Sequence, residues 1–283
     1  MMGQDSNAAN EGDQMKHALL AEVLVHCLEW PSLTYAETHA GAGIYDASSQ
    51  SAGKDHIRRL RSHVHKLDGL EEADAGGGYA RLLKKWWSED GNVDKYPGSV
   101  IQAAITLMQR RESLDHVQMR VTEACGEIHK QLAKAVGSFG VNPRHVGFQN
   151  EIGWLTENEC LVLLIDPFTY TNDKNGLNKG HVDLDTLTTV LANCWDKSQC
   201  VIGFWCAVSD RTGWEKRRQF DHHLLALIND ARAEHRVYCA GRCNRFQLHL
   251  IGIGEGSSVI SQLPFNSSWR ESWLGPVIRE KES

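Results

Sequence analysis

Apolar runs of strand length alternate with amphipathic helical stretches along most of this chain, and that alternation restricts the fold more than any other feature. "MKHALLAEVLVHCLEW" (15–30) reads as an amphipathic helix and "LTYAET" (33–38) as a short buried strand. Strands are then predicted at 116–123, 145–150 and 160–168, with "GEIHKQLAKAV" (126–136) as a helix between the first two. Downstream, "DLDTLTTVLANCW" reads as helix, "CVIGFWCAV" as strand, "WEKRRQFDHHLLALINDARAE" as helix, and "RVYCAG" with "FQLHLIGIG" as closing strands. The expected fold is α/β: a largely parallel, Rossmann-like sheet with helices on both faces, binding its ligand at the carboxyl ends of the strands.

The first strand runs into "ETHAGAGIYD", whose Gly41 and Gly43 allow a tight turn and close approach of the backbone to a ligand. In an uncomplicated unit a helix follows such a turn at once. Here residues 46–94 hold polar and basic helical stretches and the "AGGGY" linker, so the helix arrives only in "YPGSVIQAAITLMQRR", with Ser99 as its N-cap. The expected organisation is a Rossmann-like domain from 1–45 and 95–283, interrupted by a small helical subdomain at 46–94.

A polar residue closes each of the first four strands: Glu37 and His39, then Glu123, Asn150 and Asp166. Any one alone reads equally as a strand end meeting water; the ordered series points to a site. An acid after the second strand suits the two hydroxyls of a ribose, and Asn150 suits the edge of an adenine.

These motifs resemble the RlmJ-type family of bacterial 23S ribosomal RNA adenine-N6 methyltransferases, which use S-adenosylmethionine. "AANEGDQMKH" is similar to the family's A-G-N-x-x-D-x-x-K-H at Ala8, Asn10, Asp13, Lys16 and His17. "ETHAGAGIY" is similar to D-T-H-A-G-A-G-x-Y, "KYPGS" to Y-P-G-S, and "VTEACGE" to the L-T-E strand end. The resemblance spans nearly the whole chain and implies a class I methyltransferase fold, with His17, His39, Gly41, Gly43, Ser99, Glu123, Asn150 and Asp166 at the cofactor. Lys16 and His17 suit the methionyl carboxylate.

The family's methylating motif is Asp-Pro-Pro-Tyr, and here it reads Asp166-Pro167-Phe168-Thr169, followed by Tyr170. The resemblance implies that Asp166 positions an adenine amine and takes its proton, with Lys16, Pro167, Phe168 and Tyr170 at the substrate. Phe168 or Tyr170 would have to replace the stacking ring, because Thr169 has no π face; core packing is the other reading of those two rings. The leading expectation is therefore methylation of adenine N6 in protein-free ribosomal RNA. The alternatives are a cofactor-binding protein of altered catalysis, or methylation of an amine outside RNA.

With 30 Lys and Arg against 36 Asp and Glu, the net charge of −6 gives no global attraction for nucleic acid, so RNA contacts must be local. Candidates are "HIRRLRSHVHK" (56–66), "RLLKKWW" (81–87), "WEKRR" (214–218) and "GRCNR" (241–245); each also reads as a solvated helix face. Trp86 and Trp87 beside Lys84 and Lys85 read either as a base-stacking platform or as an anchor of the inserted lobe. The eight cysteines lie mostly in apolar runs, and Cys239 and Cys243 lack a second ligand pair, so reduced thiols and no metal are expected. With no signal-peptide pattern and no long apolar run, the expectation is a cytoplasmic monomer or weak dimer without a membrane partner.

Overall fold

A strand covered on both faces has to be apolar at every position, and "CLVLLI" meets that condition. The computed structural model describes residues 8–46, 53–67, 69, 74–110, 116–150, 152–167, 169–170, 181–182, 184–207, 211–231, 233–240, 245–264, 272, 274 and 278–280. In it, Cys160–Ile165 is β5, paired in parallel with β1 (Leu33–Glu37) on one side and β8 (Gln199–Ala207) on the other. Val162 and Leu164 face one hydrophobic cluster with Met15, Leu19 and Leu24 of α1 (Glu11–Cys27). Leu161, Leu163 and Ile165 face a second cluster with Leu187, Val190 and Leu191 of α6 (Leu184–Cys194) and Leu224 and Ile228 of α7 (Arg211–Ala231).

Among the described residues the sheet has seven strands in the order β11-β9-β10-β8-β5-β1-β4, with β4 at Val117–Val121, β9 at Glu234–Ala240, β10 at Phe246–Gly254 and β11 at Ile278–Glu280. β4, β1, β5 and β8 are parallel; β10 runs antiparallel between β8 and β9, and β11 antiparallel to β9. The Rossmann-like sheet expected from the sequence is present. After β1 the chain moves to β4 on one side and then returns to β5 on the other. The switch point of the sheet therefore lies between the carboxyl ends of β1 and β5, where open α/β sheets bind ligands. Among the described residues no helix is long and apolar enough to cross a membrane.

The strand predicted at 145–150 does not form. Arg144 exchanges backbone bonds with Val121 and Glu123 and makes a single bridge to Thr122. Pro143 has no N–H to extend a ladder, and beyond Gly147 the chain curls into a 3-10 turn over Phe148–Asn150, closed by Asn150 N–H to Gly147 O at 3.0 Å. Asn150 is consequently exposed on a turn, not at a strand end.

The stretch inserted after the glycine turn leaves and re-enters through an antiparallel ribbon of β2 (Ile44–Asp46) and β3 (Lys95–Pro97). Between them lie α2 (Gly53–His65) and α3 (Gly77–Ser88). Tyr79, Leu82 and Leu83 of α3 share the cluster of α1 and α4 (Ser99–Arg110), so these helices pack onto the main core. Trp86 and Trp87 are 6% and 3% exposed, and both indole N–H groups donate to Lys95 O, at 3.0 and 2.8 Å. They fasten α3 to the ribbon, which removes the stacking-platform reading.

Candidate active site

The site is built where β1, β4 and β5 end. Tyr35 and Glu37 are two apart on β1 and so share its α1-side face, where the Tyr35 hydroxyl donates to Glu37 Oε2 at 2.6 Å. The Ser99 hydroxyl donates to Glu37 Oε1. Ser99 is thus the first helical residue of α4 rather than its N-cap: Gly98 O accepts from Gln102 N–H, and the serine oxygen is committed to the carboxyl. Burial pushes the Glu37 carboxyl up to about 7, against the pull of the Ser99 and Tyr35 bonds.

Beyond β1, Gly41 and Gly43 adopt φ of 65° and 76°, a region that only glycine enters readily. A Cβ on Gly43 would lie 3.1 Å from both Ala135 and Leu132 of α5 (Gly126–Val136). Gly98 N–H donates to Gly43 O at 2.7 Å, tying the glycine loop to the start of α4. The Gly41 N–H donates to Glu123 Oε2 at 3.2 Å, and Glu123 Oε1 takes the Cys125 N–H at 2.8 Å. Burial raises the Glu123 carboxyl while these backbone donors oppose the shift. His39, half-buried on the same loop, meets the Thr38 hydroxyl through Nδ1 at 2.6 Å.

Asp166 follows β5, and its Oδ2 accepts from Lys16 Nζ at 2.5 Å; Lys16 also pairs with Asp13 at 3.2 Å and sits 5.1 Å from the Trp205 ring centroid. Burial works against the Lys16 charge, but Asp166 and Asp13 outweigh it and hold the ammonium above the ordinary lysine range. Burial pushes Asp166 upward and Lys16 pulls it back. Asn10 caps α1 by accepting from Asp13 N–H at 3.0 Å, and Gly12 lets the helix lie against Trp205, since a Cβ there would come within 2.5 Å of the ring.

His17, one residue on, is buried. Its Nδ1 accepts from Gln102 Nε2 at 2.8 Å and from the Tyr96 hydroxyl at 2.6 Å, which leaves the ring proton on Nε2. The Tyr79 hydroxyl lies 2.9 Å from that of Tyr96, completing a buried chain. Burial and the adjacent Lys16 depress the His17 pKa well below its usual value, so the ring is neutral.

These bonds join Glu37, Gly41, Gly43, Ser99 and Glu123, and the Lys16–Asp166 pair lies within electrostatic reach of Glu37. Asn150 shares none of these bonds. Pro167 is buried, Phe168 lies outside the described residues, and of Tyr170 only the backbone is described, in the short strand β6 (Thr169–Tyr170) paired with β7 (His181–Val182). Cys243 also lies outside them. Sequence reading missed Tyr35, Tyr79, Tyr96, Gln102 and Trp205. Tyr35 was within reach, because Tyr-x-Glu in a strand puts both side chains on one face.

No protein-family model and no curated protein matches the chain in sequence. Its backbone is similar to that of protein LPL1258 from Legionella pneumophila str. Philadelphia 1, of family model DUF519, with 18% identity, 98% of each chain covered and a TM-score of 0.65. That likeness establishes the fold over the full length. A looser one is to magnesium protoporphyrin IX methyltransferase (ChlM) from Synechocystis PCC 6803 with bound SAH, with 8% identity, 85% of this chain and 82% of that one covered, and a TM-score of 0.40.

Proposed function

We propose that this protein is an S-adenosylmethionine-dependent methyltransferase acting on adenine N6 in ribosomal RNA. The observation that carries the reading is the meeting, at the switch point of the sheet, of a glycine loop, a buried acid after β4 and an Asp-Pro pair after β5. The residues fit the cofactor. Glu123 takes backbone N–H groups of Gly41, Cys125 and Ala124, and a carboxylate, with about four lone-pair sites, keeps capacity to accept from a ribose hydroxyl. The glycine loop has no side chains to keep a ligand away from its backbone, and Lys16 supplies a cation for a carboxylate. His17 presents a neutral ring.

When bound, the cofactor supplies an electrophilic methyl group on a sulfonium. The task of this chain's residues is to orient a weakly nucleophilic amine. Asp166 accepts a hydrogen bond from the amine and takes up its proton as the carbon–nitrogen bond forms, directly or through water. Lys16 sets where the carboxylate points and shares it until an amine competes.

Titration calorimetry with S-adenosylmethionine and S-adenosylhomocysteine, followed by labelled methyl transfer to protein-free ribosomal RNA, tests the proposal. Wild type is expected to bind and transfer; D166A is expected to bind and not transfer. Turnover by D166A removes the role of Asp166, and absence of cofactor binding by wild type removes the whole reading. The change from Pro-Tyr to Phe168-Thr169 favours a second reading, a cofactor-binding protein that does not methylate RNA; gain of adenine methylation in F168P/T169Y would identify it.

A further inference from the structure

The two inserted helices carry a charge opposite to that of the chain around them. α3 contributes Arg81, Lys84 and Lys85 with no acid, while the whole chain has a net charge of −6. In α2 the apolar positions Ile57, Leu60 and Val64 recur at helical spacing and are 2%, 3% and 0% exposed. The opposite face presents Arg58, Arg59, Ser62 and His63, with Lys66 just past the helix end, all exposed. From Arg59 to Lys66 this face runs about 10.5 Å along the axis.

These cations have different employment from their neighbours. Arg61 is spent on Asp94, at 3.3 Å, and on Val93 O, and Lys84 on Leu67 O. Arg59 uses its Nε on Asp55 O at 3.1 Å, and no described carboxylate pairs with Arg58, Arg59 or Lys66. The basic charge belongs to the helices themselves: Asp55 in the first turn of α2 is their one acid, while Asp68, Glu71, Glu72 and Asp74 follow α2 in the connecting sequence and Glu89, Asp90 and Asp94 follow α3.

α2 packs into the same core as the helix that carries Lys16: Ile57, Leu60 and Val64 share a cluster with Met15 and Leu19 of α1. The His56 ring, which feels Arg59, also feels Asp13 and Glu11 of the first turn of α1. Asp13 in turn holds Lys16, which holds Asp166. A strand of phosphates lying on α2 is then expected to lead toward the Asp166 site.

We propose that the outer face of α2, through Arg58, Arg59 and Lys66, docks the phosphate backbone of the RNA whose target base enters the Asp166 site. The delivery of a base rests on the methyltransferase reading; the phosphate contact does not. An RNA fits this face better than a lipid surface, because the apolar residues of α2 are all turned into the core and none is left to insert. Guanidinium and imidazole groups side by side also offer planes for unstacked bases as well as charge for phosphates.

The test is the triple variant R58Q/R59Q/K66Q of the full chain, glutamine being a good helix former. Anisotropy with labelled single-stranded RNA and competition with protein-free ribosomal RNA are followed from 0.05 to 0.5 M salt. Losing three phosphate contacts lowers the slope of log K against log salt by about 2, which amounts to about a 100-fold loss of affinity at 0.1 M. Calorimetric affinity for S-adenosylhomocysteine is expected to stay at the wild-type value. Unchanged slope and affinity in the folded variant overturn the proposal, as does wild-type protein that binds no RNA. Equal loss of binding to polyglutamate or anionic vesicles overturns the choice of RNA as partner. Wild type that binds RNA through α2 but transfers no methyl group keeps the docking face and removes the methyltransferase reading. The converse is wild type and variant methylating sub-saturating RNA equally fast, which keeps the enzyme and removes the face.

Discussion

Replacing Glu37 with glutamine isolates the cost of one buried charge. Glutamine keeps the shape: its carbonyl accepts from Tyr35, and its amide donates to the Ser99 oxygen. In the folded chain burial lifts the Glu37 carboxyl from 4.5 to about 7. Below about 4.5 both folded and unfolded chains hold the proton, and Glu37 behaves as a neutral side chain. Between 4.5 and about 7 only the folded chain holds it, so each pH unit gained removes about 1.4 kcal/mol of stability. Above 7 both forms are ionised and the loss is complete, at about 3 kcal/mol. Glu37 therefore contributes stability at acid pH that disappears as the pH rises through its folded-state value. E37Q and wild type should be equally stable near pH 4.5, and E37Q should be more stable by about 3 kcal/mol at pH 8. Urea unfolding of both proteins at pH 5, 6, 7 and 8 reads the difference directly. A gap that stays constant over that range would falsify the argument, because Glu37 would then titrate as an ordinary glutamate.

Further outcomes follow from the same geometry. G43A forces a Cβ into a left-handed turn and against Ala135 and Leu132, so it should cost about 1–3 kcal/mol in thermal unfolding and weaken S-adenosylhomocysteine binding. Ala9 holds φ of 62° where the resembling motif has glycine, so A9G should stabilise the chain by about 1 kcal/mol; a lower midpoint in denaturant would contradict this. E123A removes the acceptor of the Gly41 and Cys125 N–H groups and should lower calorimetric cofactor affinity at least tenfold while leaving the fold intact by circular dichroism.

Those residues also show how far the sequence could be read. β5 and β8 were legible because a strand covered on both faces leaves little room for polar side chains, β4 because Val117, Met119 and Val121 alternate with Gln118 and Arg120, and the carboxyl ends of β1, β4 and β5 located Glu37, Glu123 and Asp166. The run at 145–150 has the same alternation as a strand, yet Pro143 and the turn at Gly147 stop its ladder, and only tertiary context decides between those outcomes. Ser99 was read correctly as a helix start but assigned the wrong partner: a serine in that position can serve a backbone N–H or a nearby acid, and the acid comes from another element 62 positions away. Lys16 and Asp166 were each visible, but their pairing across 150 positions was not. The chain from Tyr79 through Tyr96 to His17 had no local signal at all, since three elements must pack before its hydroxyls meet.

With no strand at 145–150, β4 is the outermost described member of the sheet, touched on its free side by a single bridge among the described residues. A bare edge of this kind is a template on which a second molecule can zip itself, and concentrated solutions exploit it. Here Arg120 stands on that rim, 3.3 Å from Glu157 and over the Trp154 ring at 5.6 Å. A charge on such a rim opposes strand addition by a second molecule, a duty unrelated to the strand ends that form the candidate site.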